Sequence, residues 1–220
     1  MEKQQLQLEH QYRPSNLKDS EKVPIIIMLH GYGSDDNDLF SFASELPSKY
    51  AVISLRAPYH LNPHGFAWYA IHFDKVDGKW SDDQQAVKSR DIVVNCIHEI
   101  IEKYPVDKNN MSLLGFSQGT VLSFSIAISY PALIKNVIGL SGYVNEEILK
   151  EDYHKNDFKN LNIYASHGSL DQVIPVEWAR KSNAFLSNLV PDLTYNEFPI
   201  GHGVSPQNFY DFKNWLEQQN

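Results

Sequence analysis

Ser117 lies in Gly115-Phe116-Ser117-Gln118-Gly119, a G-x-S-x-G pentapeptide. A serine hydroxyl is a weak nucleophile at neutral pH and needs a general base, usually a histidine, with an acid to orient it. The flanking sequence favours that use. Ser112-Leu113-Leu114 reads as a strand, and Thr120-Val121-Leu122 opens a helix. A serine at a tight strand-to-helix turn is pushed into the open, and small neighbours let strand and helix approach. The plainer reading is a glycine-rich turn with an incidental serine.

The expected chain order at such a turn is serine, acid, histidine. His98 falls inside a long helical pattern, His154 in a polar stretch, and His167 precedes the candidate acid. His202, in Ile200-Gly201-His202-Gly203, directly follows the last strand, and its flanking glycines let the loop bend over the sheet edge. Asp171 follows the strand Ile163-Tyr164-Ala165 by a short loop, whereas Asp192 precedes a strand and so sits at the wrong end of a parallel sheet. A carboxylate on imidazole Nδ1 fixes the tautomer and stabilises the imidazolium formed during attack. Ser117, Asp171 and His202 are the expected catalytic residues.

Attack on an acyl carbon places negative charge on the former carbonyl oxygen, which two preorganised backbone N–H groups must meet. Gln118 N–H, at the positive end of its helix, is one candidate. Tyr32 N–H is the other, in the loop His30-Gly31-Tyr32-Gly33 after an early strand.

The elements that must position these groups follow from the hydrophobic pattern. Residues 6–12 alternate as a half-exposed strand, and residues 13–21 read as a turn. Continuous apolar runs at residues 25–29 and 51–55 read as strands buried on both faces. Residues 111–115, 137–140, 162–165 and 194–198 complete the strand set. Helical spacing appears at residues 38–46, 84–104, 118–129, 176–189 and 209–218. Residues 59–83 are irregular and aromatic, and residues 143–159 read as a polar, peripheral excursion. Alternation of strands and helices over residues 1–220, with no repeat or linker, predicts one α/β domain with a doubly wound, mostly parallel sheet. Ligands in such sheets bind beyond the carboxyl ends of the strands.

Composition bounds the remaining possibilities. The 220 residues are 42% hydrophobic and 21% charged, the range of a globular protein. A net charge of -8 disfavours nucleic acid and an anionic membrane surface as partners. The single cysteine, Cys96, permits no intrachain disulfide and no multi-cysteine zinc cluster. No run approaches the ~20 apolar residues of an integral membrane segment, and residues 1–5 have no secretory apolar region, so a cytoplasmic location is expected. Neither G-x-G-x-x-G nor a P-loop is present, so no nucleotide cofactor is expected. The cluster Asp35-Asp36-Asp38 reads as a solvated helix start rather than a metal site. Activity is expected to need no cofactor and no metal. The oligomeric state is left open.

Together, Leu29-His30-Gly31-Tyr32-Gly33, Arg56-Ala57-Pro58, Trp68-Tyr69, the serine pentapeptide, His167-Gly168 with Asp171 and Ile174-Pro175, and Gly201-His202 resemble the phospholipase/carboxylesterase family. This α/β-hydrolase group includes acyl-protein thioesterases. The resemblance runs from about residue 22 to the C-terminus. Thr120 stands where the family usually has a second glycine, and Ala70 where an aspartate is common. The resemblance implies an α/β-hydrolase fold without a cap domain and a metal-free serine esterase acting on small-molecule esters or thioesters. The aromatic loop suggests a mostly apolar pocket, with Phe66, Trp68, Tyr69, Tyr143 and Val204 as the expected substrate-binding residues. A carboxylesterase is the first reading and a lysophospholipase or acyl-protein thioesterase the second. A catalytically silent binding protein on the same fold is a third.

Overall fold

The computed structural model describes residues 2–18, 22–74 and 78–219, without the side chains of residues 73, 74 and 78–80. The end of the expected 13–21 turn and residues 75–77 of the aromatic segment lie outside this set, as does the side chain of Trp80.

The central sheet contains β1 (His10–Arg13), β2 (Val23–Leu29), β3 (Ala51–Leu55), β8 (Val106–Phe116), β9 (Asn136–Leu140), β10 (Asn162–Gly168) and β11 (Asp192–Phe198). Their spatial order is β1-β3-β2-β8-β9-β10-β11. Only β1 runs antiparallel, against β3, and the other described pairs are parallel. The chain moves outward from β2 to β3 and then returns to the other side of β2 with β8. The loops after β2 and β8 therefore flank the point where the order reverses, the usual crevice for a ligand.

Each strand side chain points to the opposite face from the last, and two hydrophobic layers follow. Ile25, Ile27, Leu29, Ile53, Leu113 and Val137 pack on one face with α1 (Asp83–Lys103) and α2 (Gln118–Ser129). Ile26, Met28, Val52, Leu114, Ile138 and Tyr164 pack on the other with Leu39 and α4 (Pro206–Gln218). The third long helix, α3 (Val176–Ser187), adds Leu186 to the first layer. Asp82 caps α1 by accepting the Gln85 N–H at 3.0 Å, and Val93, Cys96, Ile97 and Ile100 form its buried stripe. Every residue of α2 is buried, which accounts for a helix apolar on all sides. Among the described residues no helix is long and apolar enough to cross a membrane.

Four expectations change. The first strand is shorter than 6–12; Leu6 and Leu8 are buried but unpaired before His10. Residues 38–46 form only a short 3-10 turn, Leu39–Phe42. The guanidinium of Arg13 donates to the carbonyls of Ala43, Leu46, Pro47 and Tyr50, turning this backbone toward a distant side chain instead of along a helix axis. Asp36 is not solvated. It is 1% exposed and takes Arg56 Nε at 2.5 Å and Gln11 Nε2 at 2.8 Å. Residues 143–159 are not peripheral: Ile148, Leu149 and Phe158 enter the core, and the Ile148 carbonyl accepts from Arg90 and Ser125. The irregular segment contains two small hairpins, β4 (Tyr59–His60) with β5 (Phe66–Ala67) and β6 (Ile71–Asp74) with β7 (Gly78–Ser81).

α2 approaches β2 very closely where it leaves the end of β8. A Cβ on Gly119 would lie 1.9 Å from the Leu29 carbonyl oxygen, a backbone atom that cannot swing aside. Gly119→Ala should therefore destabilise the protein by about 3 kcal/mol, which for a domain of this size lowers Tm by roughly 6–12 °C. Thermal unfolding measures this. A variant within about 2 °C of wild type would mean that β2 and α2 can separate freely.

Candidate active site

Ser117 occupies the turn between β8 and α2 with φ 53° and ψ -115°, a left-handed conformation that a non-glycine residue adopts only at a cost. The surrounding hydrogen bonds over-determine it. Its N–H donates to the Leu140 carbonyl at 2.8 Å, and its own carbonyl accepts from Thr120 and Val121. Thr120 Oγ1 donates to the Leu140 carbonyl at 2.8 Å and accepts the Leu140 N–H at 2.9 Å, tying α2 to β9.

His202 Nε2 lies 2.9 Å from Ser117 Oγ, and His202 Nδ1 lies 2.7 Å from Asp171 Oδ2. Since a carboxylate can only accept, Nδ1 carries the proton and Nε2 is free to accept from the serine hydroxyl. Asp171 Oδ1 takes two more N–H donors, Val173 at 2.8 Å and Ile174 at 2.9 Å. Burial raises the Asp171 pKa, but the bonds from His202, Ile174 and Val173 outweigh it and hold the carboxyl below its ordinary range. The group therefore stays ionised while fully enclosed.

Local chain geometry brings the two loops together. Ser169 N–H donates to Phe198 and Leu170 N–H to Ile200, lacing the acid loop to the histidine loop. A Cβ on Gly168 would meet the Gly201 carbonyl at 2.3 Å, so the pairing needs glycine there. Ser141 Oγ donates to Gly203 at 3.3 Å, and the Phe116 ring packs 5.0 Å from the His202 ring. His167 is buried behind Asp171, with Nε2 2.9 Å from the Ile174 carbonyl and 3.3 Å from Asp171 Oδ2. Asp192 begins β11 opposite Asn162, at the far end of the sheet from Ser117.

The N–H groups of Tyr32 and Gln118 make no hydrogen bond among the described residues, as an oxyanion site requires. His30 sets the first of them. Its Nδ1 lies 2.7 Å from the Gly31 carbonyl, which shares a peptide plane with Tyr32 N–H, while Nε2 accepts Ala57 N–H at 3.0 Å. The Gly31 carbonyl held to one side turns the Tyr32 N–H to the other. The backbone of Gln118 is one candidate donor, and its side chain does a second job that sequence reasoning missed. Oε1 accepts Trp68 N–H at 2.8 Å and Nε2 donates to the Tyr69 carbonyl at 2.7 Å. Only a long polar residue immediately after the nucleophile could have hinted at this clamp.

A cleft of about 500 Å³ opens beside Ser117 and Gln118. Of the expected substrate-binding residues, Tyr69 and Tyr143 line it. Trp68 does not. It is fully buried, its indole N–H donates to the His30 carbonyl at 2.9 Å, and its own carbonyl accepts from Ser89. Trp68 and Tyr69 lie in the bend that follows β5, and of the two only Tyr69 reaches the cleft. Phe66 is also absent from the lining. It lies under the Arg56 guanidinium, 5.0 Å away, beside His60. Val204 packs against the α4 layer instead. The lining is also less apolar than expected. Ile71, Val121, Val144, Ile174 and Phe185 share it with Ser81, Asp83, Asn145 and Glu146.

Burial lowers the pKa of His30 below its ordinary 6.5, against smaller opposing effects of the Gly31 bond and the nearby aspartates. As pH falls through about 6.5 the unfolded chain takes up a proton at this position while the folded one does not. Stability should therefore fall as pH drops below about 6.5, by up to about 1.4 kcal/mol per pH unit from this group. Thermal unfolding from pH 7.5 to 5 measures the slope, and a flat profile would mean that His30 protonates in place. His30→Gln releases the Gly31 carbonyl and should lower kcat by about 10–100-fold with little change in KM. His30→Asn, whose amide nitrogen lies near the Nδ1 position, should lose less. Equal losses would refute the role of the Gly31 bond.

The profile of the phospholipase/carboxylesterase family matches residues 16–220. The chain is 26% identical to acyl-protein thioesterase 1 of Cryptococcus neoformans, over 87% of this chain and 90% of that protein. It is 25% identical to a probable carboxylesterase of Oryza sativa, over 87% of this chain and 76% of that protein. Among solved structures, a Bacillus cereus carboxylesterase superposes with a TM-score of 0.83 at 17% identity, covering 97% of this chain and 95% of that one. The fold is that of the α/β-hydrolases, and the protein belongs to the phospholipase/carboxylesterase family.

Proposed function

We propose that this protein is a serine hydrolase that cleaves a small-molecule carboxylic ester or thioester through an acyl-enzyme. The observation that carries the reading is the hydrogen-bonded chain Ser117 Oγ to His202 Nε2 at 2.9 Å and His202 Nδ1 to Asp171 at 2.7 Å, beside an open cleft.

His202 Nε2 takes the Ser117 proton as Oγ adds to the acyl carbon. The charge that develops on the carbonyl oxygen is met by the N–H groups of Tyr32 and Gln118. Asp171 stabilises the resulting imidazolium without taking its proton. Collapse of the adduct expels the alcohol or thiol, which leaves with the proton from His202. Water then enters, gives a proton to His202 and attacks the acyl-enzyme. Collapse frees the acid and restores Ser117. Thiolates leave readily, so the same groups serve esters and thioesters. The names of the relatives, a carboxylesterase and an acyl-protein thioesterase, fit both.

Ser117→Ala should abolish hydrolysis of p-nitrophenyl acetate and labelling by a fluorophosphonate probe, with an unchanged circular dichroism spectrum. Asp171→Asn should cut kcat by about 10⁴, the scale set by a neutral amide favouring the wrong imidazole tautomer. Asp192→Asn, at the far end of the sheet, should cost little. Near-normal turnover by the Ser117 or Asp171 variant, or a crippled Asp192 variant, would refute the assignment.

A further inference from the structure

The wall of the cleft contains polar atoms that the mechanism above leaves unused. Tyr69 is 3% exposed and lines the cleft, yet its phenol makes no hydrogen bond among the described residues. Its oxygen opens onto the cleft rather than being sealed in the core, so a group bound there can pair with it. Burial first, then the nearby Tyr143 and Asp83, push this phenol well above its ordinary range, so it remains a neutral O–H. Asp83 stands in the first turn of α1. Its Oδ1 accepts from Ser81 Oγ at 3.1 Å and Asn145 Nδ2 at 2.8 Å, while Oδ2 takes no hydrogen bond among the described residues. Glu146 also faces the cleft, and Lys181, exposed on α3, is its one cationic lining residue among those described.

These atoms define what they would accept. A carboxylate oxygen can only accept, so its partner must be a donor. A phenol can accept from the same group. An alkyl chain placed here would strip water from both and return nothing. We propose that the cleft holds a subsite, built by Asp83 and Tyr69, for a hydrogen-bond-donating group on the substrate, a primary ammonium or a hydroxyl borne away from the scissile carbonyl. The subsite rests on the esterase reading and narrows its substrate class from plain alkyl esters to amino- or hydroxy-substituted ones.

Two matched series test it with the intact enzyme. The acyl series is the p-nitrophenyl esters of hexanoic, 6-hydroxyhexanoic and 6-aminohexanoic acids. The alcohol series is the butyrates of hexanol, hexane-1,6-diol and 6-aminohexanol, followed by acid release. In one series at least one donor-bearing ester should exceed the alkyl ester in kcat/KM by about tenfold, the scale of one hydrogen bond to a charged group. The better donor tells the ammonium from the hydroxyl, and the responding series tells the acyl side from the alcohol side. Asp83→Asn and Tyr69→Phe should each shrink that ratio. Alkyl esters turned over as well as or better than both donors in both series would overturn the subsite and leave the esterase standing. An unchanged ratio in both variants would overturn the assignment to Asp83 and Tyr69. No turnover of any ester would overturn the esterase reading itself.

Discussion

The turn at Ser117 is held in a conformation costing on the order of 1–3 kcal/mol, and the architecture around it exists to hold that turn. Relaxation of φ would swing the start of α2, but α2 is buried along its whole length. Its first turn is also locked by Gly119 against the Leu29 carbonyl and by Thr120 against Leu140. The strain is therefore offset by burial of twelve helical residues rather than by any bond at the serine alone. Leu29 leads directly into His30 and Gly31. The backbone that fixes α2 is thus continuous with the loop bearing the Tyr32 N–H, so one contact positions both Ser117 and the proposed oxyanion donors.

The other half of the site is held electrostatically. Asp171 is enclosed, and such a carboxylate stays ionised only if donors replace the lost water. His202, Val173 and Ile174 supply them, and two come from the chain immediately after Asp171 itself. The loop closes around its own charge, and among the described residues His202 is the one hydrogen-bond donor to it from elsewhere, with His167 Nε2 standing 3.3 Å off. That asymmetry lets the imidazole respond to the serine while the acid stays fixed. Of Ser117, Asp171 and His202, His202 is the most exposed, and Phe116 and the Ser141–Gly203 bond limit its swing without sealing it from solvent.

The hydrogen-bonded chain of Ser117, His202 and Asp171 was legible in the sequence because each belongs to a short motif at the end of a strand, and the strands announce themselves as apolar runs. Order along the chain separated Asp171 from Asp192, since in a parallel sheet the two ends of a strand are not equivalent. What sequence could not supply were directions and distant partners. Aromatic density marked residues 59–83 as important, but density does not say which of Trp68 and Tyr69 faces the cleft. That depends on Gln118 gripping the backbone between them, 49 and 50 residues away. Asp36 looked solvated until Arg56 and Gln11 were beside it. The 38–46 segment carried a helical pattern, yet Arg13 decided its backbone. In each case a long side chain acting across the fold overrode a local signal.

The same division separates chemistry from selectivity. Ser117, His202 and Asp171 sit on loops after β8, β11 and β10, laced together by backbone hydrogen bonds. The cleft wall draws mostly on other places, the start of α1, the 143–146 stretch and one face of α3, with Val121 and Ile174 joining it from beside Ser117 and Asp171. Among the described residues, Asp83 and Asp171 share no hydrogen-bonding partner. Side chains on the wall can therefore change without moving the reacting groups. Gln118 is the exception. Its backbone N–H is a proposed oxyanion donor, while its side chain holds the segment that carries Tyr69 into the cleft. Under the proposed mechanism, a substitution there would disturb oxyanion geometry and substrate selection together.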